Sequence, residues 1–180
     1  VMAAKTYLTH EDIAKWLQDM SAGARVLVPA RVDNAVSFVP FDPQNELVLE
    51  HKATAPPKQA VFPQTETLLK YRYSKDPEHP ETQSLEIKET LPQDQAVVFG
   101  CRPCGARGFV IYDRVFDSDK ITDPYYKARR ENTAFITLAC DTAENTCFCH
   151  WVGSHPADPE GSDIVLYPVD GGYVAESITK

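Results

Sequence analysis

Two short apolar runs constrain the fold of this chain more than any other feature. Residues 96–99 (Ala-Val-Val-Phe) and residues 133–139 read as buried strands, and two helical stretches lie between them. The first follows Gly100, takes Pro103 into its opening turn and is mostly apolar, with Phe109, Val110, Tyr112, Val115 and Phe116. The second starts at Asp123-Pro124 and continues as a basic helix through Arg130, presenting Tyr125, Tyr126, Arg129 and Arg130 on what reads as a solvated face. Strand, helix, helix, strand is a parallel crossover, and it brings the C-terminal ends of both strands to one edge of the sheet. Open α/β folds place their ligands at that edge.

The cysteines occur at that same edge. All five lie between positions 101 and 149, with none in the first 100 residues or the last 31. One apolar run leads directly into Gly100-Cys101-Arg102-Pro103-Cys104 and the other into Cys140, and Thr146-Cys147-Phe148-Cys149-His150 follows within one short loop. Cys104 and Cys140 are therefore expected to approach each other, with the loop returning two more thiols beside them. In the first turn of a helix Cys104 meets free N–H groups and the positive end of the dipole, which favour a thiolate or an anionic cluster, and Arg102 and Arg107 act in the same direction. An odd, clustered set of cysteines points to metal or redox work, since disulfide frameworks spread cysteines through short secreted chains.

Four thiolates suit a 4Fe-4S cluster or tetrahedral zinc. Cys101-x2-Cys104 has the spacing of one zinc knuckle, but Cys147-x-Cys149 has the wrong gap for a second, and His150 is an alternative ligand. Spacing alone favours iron–sulfur modestly, with structural zinc and unligated core thiols as the alternatives. A nucleophilic cysteine, Cys140 beside Asp141 or Cys149 near His150 or His155, supplies the residue types of a thiol–imidazole pair but leaves three thiols unexplained.

The remainder reads as a mixed α+β domain, a small mixed sheet with helices on its flanks plus hairpins. Thr9 caps a helix with Ile13, Trp16, Leu17 and Met20 at i, i+3, i+4, i+7, ended near Gly23. Residues 25–29, 35–40 and 46–50 read as three strands of a small antiparallel unit. Residues 53–63 and 74–83, the latter with Pro77 and Pro80, read as surface loops. Between them, 64–73 is either helix or strand, and 84–90 alternates as a strand. The chain closes with a hairpin, 163–169 and 173–176, turned by Asp170-Gly171-Gly172.

Composition excludes several functions. At 180 residues and 43% hydrophobic the chain has the size of one domain with its own core, 1–180. A net charge of −8 argues against nucleic-acid binding. Residues 101–150 hold seven basic and seven acidic side chains, so the cysteine segment is locally neutral in an acidic protein. No apolar run has the length of a membrane span and the opening residues lack the order of a signal peptide, so the expectation is a cytoplasmic protein. Gly100, Gly105 and Gly108 do not match a dinucleotide loop, and no bound nucleotide is expected.

Several motifs are distinctive together. FGCRPCGARGF, VFDSDKITDPYYKARRENTAFITLAC, NTCFCHWVG and GSDIVLYPVDGGYVAE, with VFPQTETLLKY upstream, resemble the β subunit of sulfhydrogenases (hydrogenase/sulfur reductase) and the corresponding subunit of anaerobic sulfite reductase. The resemblance implies an electron-transfer module that performs no bond-making chemistry itself. It implies one 4Fe-4S cluster on Cys104, Cys140, Cys147 and Cys149, readily lost in air, and leaves Cys101 as an extra thiol. It also implies flavin-bearing NAD(P)H-linked and catalytic partner subunits. Gly105 stands where that family usually has Asp, and residues 150–156 replace a loop richer in Gly and Ser. Family members continue into a ferredoxin-like dicluster region, so the chain is expected to be a fragment.

Overall fold

The computed structural model describes residues 5–75, 78–79 and 83–179. Nine strands and three helices follow in the order β1 (Lys5–Thr9), α1 (His10–Ser21), β2 (Arg25–Val32), β3 (Ala35–Pro40), β4 (Leu69–Lys75), β5 (Gln83–Glu89), β6 (Ala96–Cys101), α2 (Pro103–Phe116), α3 (Pro124–Glu131), β7 (Thr133–Leu138), β8 (Ile164–Val169) and β9 (Gly172–Ser177). Seven strands form one mixed sheet in the order β1-β9-β8-β7-β6-β2-β3, and β4 with β5 forms a separate two-stranded sheet. The expected α+β class with a parallel crossover and hairpins is the observed one. β6 and β7 pair in parallel, as do β2 with β6 and β7 with β8.

Period-2 alternation along the central strands sorts side chains onto two cores. Val26, Val28, Phe99, Ile136, Leu138 and Leu166 meet Ile13 and Leu17 of α1 on one face. Leu27, Val98 and Phe135 meet Phe109 of α2 and Tyr126 of α3 on the other. The helix α1 forms where Thr9 and Asp12 close a capping box: the Thr9 N–H donates to Asp12 Oδ2 at 2.9 Å, and the Asp12 N–H donates to Thr9 Oγ1 at 3.1 Å. Trp16 packs edge-on to Phe99, so it serves the core. Asp123 caps α3 through the Tyr125 and Tyr126 N–H groups, with Pro124 behind it.

Several expectations are corrected. Residues 25–40 are part of the main sheet, not a separate antiparallel unit, because β2 has β6 on its other side. Residues 46–50 touch β2 through a single bridge, Ala30 to Leu47. The Pro29 carbonyl accepts from the Val48 N–H at 2.9 Å, but Pro29 has no N–H to return to Val48, so the ladder stops there, and beyond it the Leu49 carbonyl accepts from the Arg102 guanidinium at 2.6 Å. Residues 53–63 are not simply a surface loop. A 3-10 turn at Lys58–Ala60 buries Ala60 and Val61 and sets Phe62 against Tyr112, Phe116 and Tyr126. Residues 64–73, open between helix and strand, lead into β4, and 74–75 belong to that strand. Pro77 and Pro80 of the expected loop lie outside the described residues.

The face of α3 is also not free. Tyr126 is buried and donates to Asp113 at 2.6 Å, Arg130 pairs with the same carboxylate at 3.1 Å, Arg129 pairs with Glu66, and Tyr125 donates to the Leu68 carbonyl. A helix read as a solvated basic face is a strut between α2 and the segment leading into β4.

Candidate functional site

The strand β6 bulges at Gly100, and the bulge decides where Cys101 points. Pairing with β7 runs Phe99 to Ile136 and then Cys101 to Thr137, so one residue is left over. Gly100 takes up the extra residue at a φ of 77°, which a side chain would resist. Simple alternation would put Cys101 on the α1 face. The bulge puts it instead with Val98 and Phe109 under α2, where it is 1% exposed. Its sulfur lies so close to Gly105 that a Cβ built there would be 2.7 Å away. Burial raises this thiol well above its ordinary pKa, so Cys101 is a neutral core residue.

The other four cysteines lie about the C-terminal edge of β6 and β7. Cys104 is exposed in the first turn of α2, and Cys140 is half-buried two residues beyond the end of β7. The Cys140 N–H donates to the Pro156 carbonyl at 2.9 Å, which holds the end of β7 to the far side of the cysteine loop. Within that loop Cys147 and Cys149 are both half-buried, and Cys149 opens a 3-10 turn, Cys149–Val152, whose return is fixed by the Ser154 N–H on the Cys149 carbonyl at 3.0 Å. Arg107 ties the turn to α2 through the Val152 carbonyl at 2.6 Å and a 2.7 Å pair with Glu160. Arg107 therefore acts as a strut for the loop.

The electrostatics link three of these thiols. Burial raises the Cys140 thiol, and negative charge on Cys104 and on Cys147 each raises it further, while Arg102 and Lys52 pull it down. Cys147 is shifted the opposite way, because the Lys52 ammonium lies 3.0 Å from its sulfur and the Glu144 N–H lies 3.2 Å away. Lys52 also pairs with Glu144 at 3.1 Å and is itself held more firmly protonated by the cysteine. The Lys52 ammonium and the Glu144 N–H thus favour the thiolate form of Cys147. Among the described residues no three His, Cys, Asp or Glu side chains stand in a metal-holding arrangement. Cys147 is turned toward Lys52, and Cys104 is open to solvent.

Lys52 is the residue that sequence reasoning missed. It is 95 positions from Cys147 in a Pro- and Lys-rich stretch, and no spacing or periodicity singles it out. Arg102 was expected to favour negative charge near Cys104. It does act on the thiols by charge, and its donors also bind the Ala139 and Leu49 carbonyls, joining the end of β7 to residue 49. His150 is exposed and lies against Trp151, and His155 accepts from the Ala157 N–H at 3.3 Å. Trp151 is 82% exposed, so it fills no space in the core of this chain.

Cys104, Cys140, Cys147 and Cys149 have the chemistry to ligate a sulfur-bound metal group, and Arg102 and Lys52 act on the thiols as cations, but as they stand the thiols do not form a closed site. The two arginine struts hold the loop and strand ends without consuming a thiol. Among the described residues no helix is long and apolar enough to cross a membrane.

The chain is similar to the sulfhydrogenase 2 subunit beta of Pyrococcus furiosus, with 28% identity over 151 residues, 83% of this chain. It spans 41% of that relative's length. No family model matches the chain, and no solved structure matches it significantly.

Proposed function

We propose that this relative of the sulfhydrogenase β subunits is an electron-transfer module that holds one 4Fe-4S cluster on Cys104, Cys140, Cys147 and Cys149. The observation that carries the reading is positional: Cys104 opens the helix after β6, Cys140 lies two residues beyond β7, and the Cys140 N–H on the Pro156 carbonyl closes the loop of Cys147 and Cys149 at the same edge of the sheet. A bound cluster would accept and pass on one electron at a time. The chain's own residues supply the thiolates, the cations that offset their charge, and the struts that hold the loop.

In this reading the partners are two further subunits, one flavin-bearing and NAD(P)H-linked, the other catalytic and of hydrogenase, sulfur reductase or sulfite reductase type. Residues 1–180 act as one cluster-binding unit in the cytoplasm, where thiols stay reduced. The unit makes and breaks no substrate bond. Holding the cluster would require the Cys147 sulfur to exchange its contacts with the Lys52 ammonium and the Glu144 N–H for iron.

The test is a series of single cysteine-to-alanine variants, reconstituted with iron and sulfide without oxygen. Cys104, Cys140, Cys147 and Cys149 variants should lose most bound iron and the EPR signal of the reduced protein, and Cys101→Ala should keep both. Full iron binding after loss of Cys140 would remove the proposed ligand set. Zinc held tightly in place of iron would favour a structural zinc site.

A further inference from the structure

The hairpin β4–β5 stands apart from the main sheet with one apolar face uncovered. Its register pairs Leu69 with Glu89, Tyr71 with Ile87, Tyr73 with Leu85 and Lys75 with Gln83. Alternation places these eight side chains on one face, while Lys70, Arg72, Ser74, Ser84, Glu86 and Lys88 take the other. The Ser74 and Ser84 hydroxyls meet at 2.6 Å on the polar face, and the Tyr71 and Tyr73 rings meet edge to face on the apolar one. Tyr71 and Tyr73 are 70% and 66% exposed, and Leu69, Leu85 and Ile87 are 56%, 49% and 58% exposed. A two-stranded sheet with a bare apolar face is marginal in water by itself.

The ends of the face carry opposite charges. Glu89 lies at the root, beside the Tyr125 hydroxyl, and Lys75 lies toward the tip, with Tyr71, Tyr73, Leu85 and Ile87 between them. We infer that this face is a homodimer interface, in which two hairpins of two copies pack face to face, end over end, about a two-fold axis. Such an axis lies across the strands and reverses their direction, bringing the Glu89 end of one copy over the Lys75 end of the other. With sheets about 10 Å apart, both side chains are long enough to meet. An axis along the strands would set Glu89 against Glu89, so the charges select one arrangement.

The area is sufficient. The five apolar side chains present roughly 600 Å² per copy, against about 800 Å² per partner in a standard interface, and Lys75, Gln83 and Glu89 supply the rim. The polar face stays in water. The inference does not depend on any role of the thiols.

Sedimentation of the whole 180-residue chain tests it. A concentration-dependent species of twice the 20.1 kDa chain mass is expected. Tyr71→Glu or Leu85→Lys should weaken it by roughly 30-fold or more, the scale of a central hot spot, with circular dichroism unchanged. Glu89→Lys should weaken it, and the double exchange Glu89→Lys with Lys75→Glu should restore it. A chain that stays monomeric to about 100 μM overturns the inference. So does a dimer indifferent to both apolar variants, or a double exchange that restores nothing.

Discussion

Replacing Gly105 by alanine should destabilise the protein, and removing the Cys101 sulfur should reverse the effect. The new methyl group would stand 2.7 Å from Cys101 Sγ, far inside van der Waals contact. The thiol is 1% exposed beneath α2, and Leu27, Val98 and Phe109 belong to the same core, so it has little room to turn away. Overpacking of this size costs about 1–3 kcal/mol, and the helix preference of alanine over glycine returns up to about 1 kcal/mol, leaving a net loss anywhere from about zero to about 3 kcal/mol. Cys101→Ala alone removes a buried atom comparable to a methylene and should cost about 1–2 kcal/mol. In the double variant the methyl group introduced at position 105 fills the space left by sulfur, so stability should return to within about 1 kcal/mol of the parent, a coupling of about 2 kcal/mol. Urea unfolding of the four proteins, metal-free and reduced, measures the cycle. If Gly105→Ala has the same effect with and without Cys101, then the close approach is not what glycine serves here.

Other outcomes follow from the same coordinates. Lys52→Met should slow iodoacetamide labelling of Cys147 in metal-free protein several-fold at neutral pH, because the cation that favours the thiolate is gone; mass spectrometry of the labelled peptide reads this, and an unchanged rate would remove Lys52 as its cause. Thr9→Ala should cost about 1 kcal/mol by opening the cap of α1, measured by the same unfolding assay. Asp12 has its carboxyl held below 3.8 by its bonds to Thr9, so its contribution is complete above that value and lost as pH falls through the lower folded one. An acid titration of Asp12→Asn should therefore lack that part of the parent's fall in stability, and parallel curves would contradict the cap.

The crossover was legible because its residues obey local rules without conflict. Residues 96–99 and 133–139 are short and apolar, Pro103 and Asp123-Pro124 are standard helix openings, and the closing hairpin has Asp170-Gly171-Gly172 at its turn. Failures came where one residue redirects the chain or where a partner is remote. Pro29 ends the ladder that residues 46–50 were expected to join, and the apolar Ala60, Val61 and Phe62 were hidden among prolines and lysines. β1 was missed because Lys5–Thr9 is an edge strand with no buried residue to mark it. At the site, sequence placed Cys104, Cys140 and the 147–149 loop at one edge, but the one-residue bulge at Gly100 has no period to announce it. That bulge also unites two oddities, the extra thiol Cys101 and the glycine at 105: the sulfur occupies the space a side chain at 105 would need. Lys52 carried no signal, since its role exists only through a contact 95 residues away.

The central claim is that the four thiols about the edge of β6 and β7 hold one iron–sulfur cluster. Iron and acid-labile sulfide, counted per chain after oxygen-free reconstitution and removal of unbound metal, test it most directly. The account predicts about four of each, with a signal that appears on reduction. A chain that emerges free of iron and sulfide, or that holds a single zinc ion instead, would contradict it.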